Sequence, residues 1–221
     1  MKAGQVRGIV DADHRRPRRL LQTHCRTRQT GELVSFTRFK RFRRRLGIHP
    51  VLRCTYFRTS WGFAVLAASE KGLCGLCLPT GSIRQARELA RRRWPDAAPT
   101  PNLLPKLQEQ VRTYFLGQPV RFRVPLDLTG LTDFQQAVLR ACRAIDYGTT
   151  TTYGALAAAV GRPGAARAVG AVMARNPIPL IIPCHRVLGA DGRLGGFSAE
   201  GGVDVKRRML RLEGLYLELK P

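Results

Sequence analysis

Acidic side chains are scarce in this chain. Its 221 residues hold 15 Asp and Glu against 38 Lys and Arg, a formal net charge of +23. Such a one-sided balance exceeds what solubility requires and points to a polyanionic partner, most simply nucleic acid. Long apolar runs are also missing. No stretch of about 18 apolar residues is present, which argues against a membrane-crossing helix. The N-terminus has no apolar central region of the kind a secretory signal carries. A soluble cytoplasmic protein without a membrane partner is therefore expected, nucleoid-associated if bacterial. Its six cysteines, Cys25, Cys54, Cys74, Cys77, Cys142 and Cys184, are then expected as free thiols. Cys74-Gly75-Leu76-Cys77 has metal or redox spacing. It has no second cysteine pair and no histidine close in sequence, so two strand cysteines are the better reading. Neither a metal nor a cofactor is expected.

What is present falls into three parts. Residues 1–49 carry 14 basic and 3 acidic residues, and Phe36 to Arg45 interleaves phenylalanine with Lys and Arg. This segment reads either as a basic, partly disordered arm that adds affinity for phosphates or as the product of a start codon placed too far upstream. Residues 50–128 read as a small α/β domain. Strands are expected at Thr55–Thr59, Trp61–Ala68, Gly72–Leu78 and Val120–Val124. Helices are expected at Ser82–Trp94, stopped by Pro95, and at Leu103–Phe115, where Leu103, Leu107, Val111 and Tyr114 recur at helical spacing. Residues 129–221 read as a mostly helical domain. Thr132 or Asp133 caps a helix from Phe134 to Ile145. Gly148 turns the chain into Thr149–Tyr153. Helices over Gly154–Val160 and Gly164–Arg175 flank the breaker Gly161-Arg162-Pro163, the outline of a helix-turn-helix. The fold class is thus α+β.

The second of those helices, Gly164-Ala165-Ala166-Arg167-Ala168-Val169-Gly170-Ala171-Val172-Met173-Ala174, is nearly free of bulk. Small residues such as Ala166 and Gly170 permit close packing against a neighbouring helix. They also let the helix approach a narrow groove, where Arg167 and Arg175 would meet an enhanced negative potential.

The most informative motif is Pro183-Cys184-His185-Arg186, directly after the apolar run Ile178 to Ile182. A thiolate is the reactive form of cysteine, and a neighbouring imidazole can take its proton while a third group orients the base. On a strand the two side chains would point to opposite faces, so a bridging water is the expected link.

Taken together, these residues resemble the O6-alkylguanine-DNA alkyltransferases, the methylated-DNA–protein-cysteine methyltransferases. The matching positions are Tyr147-Gly148, Thr152-Tyr153, Ala165 to Gly170, Asn176-Pro177-Ile178-Pro179 through Val187, Lys206, and Leu212-Glu213-Gly214. The resemblance implies a ribonuclease-H-like first domain and a winged-helix or helix-turn-helix-like second one. It implies direct reversal of DNA damage. The protein would enter the minor groove of duplex DNA carrying O6-alkylguanine or O4-alkylthymine and flip the base. It would then move the alkyl group irreversibly onto Cys184, once per molecule. On this model Cys184 is the nucleophile, His185 the base through a water, and Glu213 the carboxylate that orients it. Asn176 supports the active-site turn, and Tyr153 donates its hydroxyl to the flipped base. Arg167 fills the emptied place in the duplex. The carbonyls of Val187 and Cys184 accept from the guanine amino group, and Pro183, Phe197 and Ser198 shape the pocket.

Phe197 stands where the family usually carries tyrosine, and its loop, Ser198 to Gly202, is longer than in some relatives. Cys54 and Cys74 fall near two positions of a structural zinc site found in some members. The expected state is a monomer, with cooperative binding along DNA open. Two other classes compete. One is a lesion-binding or regulatory DNA-binding protein without transfer activity. The other is a cysteine hydrolase built on Cys-His-Glu.

Overall fold

Three apolar runs separated by tight turns dictate the first half of the molecule. The computed structural model describes residues 51–199 and 201–216; the basic segment 1–49 lies outside them. Strands β1 (Arg53–Thr59), β2 (Gly62–Ser69) and β3 (Gly72–Thr80) form an antiparallel meander. Gly62 and Gly72, at φ +121° and +138°, begin β2 and β3 in a conformation that side chains rarely adopt. The short β4 (Ala98–Pro99) adds parallel to β1, giving the order β3-β2-β1-β4.

Alternation along β2 divides the core between two faces. Val65 and Ala67 pack with Cys54, Cys77 and Trp94 under helix α1 (Ile83–Arg93). Ala64 and Leu66 face the main core, with Leu107, Val111 and Tyr114 of helix α2 (Pro105–Phe115). Ser82 caps α1 in a reciprocal box with Gln85, and Trp94 ends it one residue before Pro95. The Trp94 ring lies where a Cβ on Gly75 would sit, 2.0 Å away. The Cys74-Gly75-Leu76-Cys77 stretch is therefore shaped by packing. Cys54, Cys74, Cys142 and Cys184 are free thiols, as the sequence led one to expect. Among the described residues no cluster of three or more His, Cys, Asp or Glu is placed to hold a metal ion.

One expected strand does not form. Residues 120–124 alternate in burial as a strand would, but they pair with no neighbouring strand. Their carbonyls are taken by side chains instead. Arg143 donates to the Phe122 and Val124 carbonyls at 3.3 and 2.8 Å, and Gln110 to the Arg121 carbonyl at 3.3 Å. Only at Leu126 does the segment make a single parallel bridge, to Leu73.

The helical half begins with α3 (Asp133–Arg143), capped by Thr132 in a box with Gln135. It buries Val138, Leu139 and Cys142 against α5 (Ala166–Ala174). Helix α4 (Tyr153–Ala159), capped by Thr152, packs on α5 to complete the helix-turn-helix. Two-residue strands β5 (Thr151–Thr152) and β6 (Val187–Leu188) pair in parallel, tying the start of α4 to the segment that follows Cys184. Helix α6 (Gly202–Leu212) closes the domain and delivers Glu213 at its C-terminal end. No helix of the described residues is long and apolar enough to cross a membrane.

Candidate active site

The approach to Cys184 is a buried, strained loop. Ile178, Leu180, Ile181 and Ile182 are all buried, and Leu180 adopts φ +74°. A left-handed leucine costs roughly 1–3 kcal/mol and persists only where its surroundings impose it. Asn176 supplies that restraint. Its amide donates to the Ile182 carbonyl at 2.7 Å, and its side-chain oxygen accepts from the Ile178 N–H at 3.0 Å. Cys184–Arg186 then forms a 3-10 turn with Pro183 as its cap, not the strand expected from the apolar run. Gly and Pro are absent from 180–182, and the apolar run by itself does not betray the turn.

His185 has no solvent exposure. Its Nε2 lies 2.7 Å from Glu213 Oε1. Glu213, itself buried, also accepts from the Tyr114 hydroxyl at 2.7 Å, from Arg186 Nε and Nη2 at 2.8 and 2.9 Å, and from the Gly148 N–H at 3.2 Å. Burial would raise its pKa, but the hydrogen bonds and charges of His185 and Arg186 hold the carboxyl down to about 2. An ionised carboxylate only accepts, so the proton between the two sits on Nε2. The other ring nitrogen, Nδ1, then carries a lone pair, and no protein group hydrogen-bonds to it. Burial lowers the His185 pKa, which keeps the ring neutral at neutral pH. The arrangement presents a neutral base of fixed tautomer in the residue that follows the Cys184 thiol.

Cys184 is 6% exposed. Burial pushes its thiol up, and the Asn176 side chain and the Lys206 charge pull it down. Lys206 has no exposure at all. Its ammonium donates to the carbonyls of Val187 (2.7 Å) and Leu194 and lies 5.9 Å from the centroid of the Tyr153 ring. Burial lowers its pKa to about 8.

The remaining predicted residues distribute over two faces. Tyr153, at the start of α4, is half-buried, and its hydroxyl approaches Gly195, where a Cβ would come within 3.0 Å. Gly170 packs toward the Tyr153 ring, at 3.9 Å for a Cβ placed there. Ala166 is half-buried, and Arg167 and Arg175 are exposed on the same helix. On the other side, Cys184, Phe197 and Ser198 line a cavity of about 400 Å³ that reaches to the sheet domain. Tyr153, Pro183 and Val187 lie outside that lining, and Pro183 and Val187 are buried.

Sequence reasoning left Tyr114, Arg186 and Lys206 without roles. Tyr114 reads as one more apolar position of α2, although a fully buried tyrosine hydroxyl requires a partner. Lys206 shares the helical face of Met209 and Leu210, spacing that marks a lysine in the core. For Arg186 the signal is weaker, a buried cation beside the thiol in a chain with few acids.

The fold and site define a helix-turn-helix domain of the kind that binds nucleic acid, carrying a buried cysteine followed by a buried histidine–carboxylate pair, joined to a small sheet domain. Family models for the two halves agree. Residues 133–215 match the 6-O-methylguanine DNA methyltransferase DNA-binding domain, and residues 52–128 match the ribonuclease-like domain of the same proteins. The chain is 46% identical over 131 residues to the methylated-DNA–protein-cysteine methyltransferase of Mycobacterium tuberculosis, covering 59% of this chain and 76% of that one. It is 39% identical over 163 residues to the Mycobacterium leprae protein of the same name, covering 74% and 93%. The crystal structure of Mycobacterium tuberculosis O6-methylguanine methyltransferase superimposes with a TM-score of 0.63 at 38% identity, over 77% of this chain and 97% of that one. A Mycobacterium tuberculosis relative solved in complex with DNA gives 0.61 at 38% identity, over 73% and 92%. This chain belongs to the methylated-DNA–protein-cysteine methyltransferase family.

Proposed function

We propose that this chain repairs duplex DNA by taking the alkyl group from O6 of guanine onto Cys184, once per molecule. The observation that carries the reading is the His185 tautomer. Glu213 fixes the proton on Nε2, which leaves Nδ1 as a base on the residue next to Cys184 in sequence. A water relays the Cys184 proton to Nδ1. The thiolate attacks the alkyl carbon, the S–C bond forms, and the C–O6 bond breaks with its electron pair passing to guanine. Guanine leaves protonated by the proton that the thiol gave up. The thioether product offers water no acyl bond to cleave, so the site is spent.

The DNA enters by the α4–α5 face. The small residues of α5 bring Arg167 into the minor groove, where it fills the place of the flipped base. Flipping costs a few kcal/mol, offset by contacts in the pocket. The Tyr153 hydroxyl donates to the flipped base as charge grows on it. O4-alkylthymine presents the same alkoxy group beside a ring nitrogen and reacts by the same path. Lys206 keeps the Val187 carbonyl fixed, with one lone pair remaining for the guanine amino group.

Loss of O6-methylguanine from a duplex, counted per protein molecule, tests the reading. One lesion lost per wild-type chain and none with Cys184→Ala is the expected pair of results. Continued loss with Cys184→Ala would overturn it. The burial of the Cys184 thiol favours a second reading, lesion recognition without transfer, in which the methyl group stays on the DNA.

A further inference from the structure

The cavity at Cys184 is larger than a methyl group requires and is of a size that holds small ligands. Its far walls come from outside the transfer machinery. Leu89 of α1, Phe115 of α2 and Trp61 in the β1–β2 turn give it an apolar side, and Arg208 of α6 gives it a positive one. The Trp61 ring is held between two neighbours. Its centroid is 5.1 Å from that of Phe115, and the Arg208 guanidinium carbon lies 3.7 Å over it. Arg208 is exposed and pairs with no carboxylate among the described residues. No acidic side chain among the described residues lines the cavity. Arg93 also lines it, donating to the Leu76 carbonyl and the Cys77 sulfur at 3.4 and 3.5 Å.

We propose that this cavity is an accessory subsite for O6-substituents larger than methyl that end in a carboxylate, with Trp61 and Arg208 as specificity-determining residues. The inference rests on alkyl transfer to Cys184 as argued above. A short carbon chain lies along the apolar wall, and the guanidinium, steadied by Trp61, meets the carboxylate with its planar fork of donors. Cys184 Sγ bonds to the carbon next to O6, and the C–O6 bond breaks with its electron pair passing to guanine. The carboxylate travels with the carbon and remains in the cavity on the thioether.

The test measures single-turnover transfer by the full chain from duplexes carrying O6-methyl-, O6-carboxymethyl- or the neutral O6-carbamoylmethylguanine. The wild type is expected to transfer carboxymethyl faster than carbamoylmethyl. Arg208→Gln is expected to lower the carboxymethyl rate about fivefold, the size of one partly exposed ion pair, and to leave the methyl rate unchanged. Arg208→Lys should retain part of the preference. Equal losses on all three duplexes with Arg208→Gln would make Arg208 a DNA phosphate contact and overturn the subsite. So would a wild type indifferent to the charge of the substituent. A wild type that transfers no methyl group would refute the transfer reading itself, a result distinguishable from both.

Discussion

Glu213 is the residue on which the site depends. It joins α2 through Tyr114, the turn before β5 through Gly148, and the nucleophile's own turn through His185 and Arg186. A glutamine there presents N–H groups to Arg186 and leaves a buried cation unpaired. Glu213→Gln is therefore expected to destabilise the fold by about 3–5 kcal/mol and to slow transfer, measured by urea unfolding and single-turnover kinetics. Wild-type stability with a wild-type rate would contradict this role for the carboxylate. The pH profile follows from His185. Protonated imidazole cannot accept the thiol proton, so transfer falls as pH drops through the His185 pKa. Burial lowers that pKa, so the acid limb lies below the ordinary imidazole range and the rate at about pH 6.5 is still more than half its plateau. A rate already halved near pH 7 would place the proton acceptor elsewhere. The carboxylate acts on stability at lower pH. Glu213 is depressed to about 2, so its contribution is present above its ordinary range and is lost as pH falls toward 2.

At the scale of elements, α5 places the exposed Arg167 in its first turn among small residues. Arg167→Ala is expected to reduce transfer from duplex DNA more than transfer from free O6-benzylguanine, because only the duplex has a gap to fill. Equal losses on both substrates would argue against that role. Much of this architecture was legible in the sequence because short-range chemistry carries it. The capping residues Ser82 and Thr132, the breaker Pro95 and the apolar runs bounded by turn residues act within a few residues of themselves. The strand expected at Val120–Val124 failed because alternation reports which side chains are buried and not what binds the backbone. Arg143 and Gln110 took the carbonyls that a strand would have taken. The turn at Cys184 was hidden for a similar reason. Leu180 is left-handed only because Asn176 clamps both sides of the loop, a contact across six residues. Tyr114 meets Glu213 across 99 positions, a separation over which local pattern carries no information.

The whole molecule carries a net charge of +23, and residues 1–49 hold 14 basic against 3 acidic residues. Deleting residues 1–49 separates their two readings. If they neutralise phosphates, binding weakens mainly at low salt. The slope of log affinity against log salt then becomes shallower by about 0.9 for each phosphate left unneutralised. An unchanged slope would mean that the segment contributes nothing to the encounter with DNA. On the proposed mechanism the two-domain layout gives each half a part in the chemistry. The helical domain supplies Cys184, His185 and Glu213, and the sheet domain contributes Tyr114 to the same carboxylate and Trp61 to the cavity wall. The most direct test of the central claim is the intact mass of the protein after mixing with a duplex carrying one O6-methylguanine. The expected result is a gain of one methylene, located on the Cys184 peptide and saturating at one per molecule. An unchanged mass with the lesion tightly bound, or the same gain in Cys184→Ala, would contradict it.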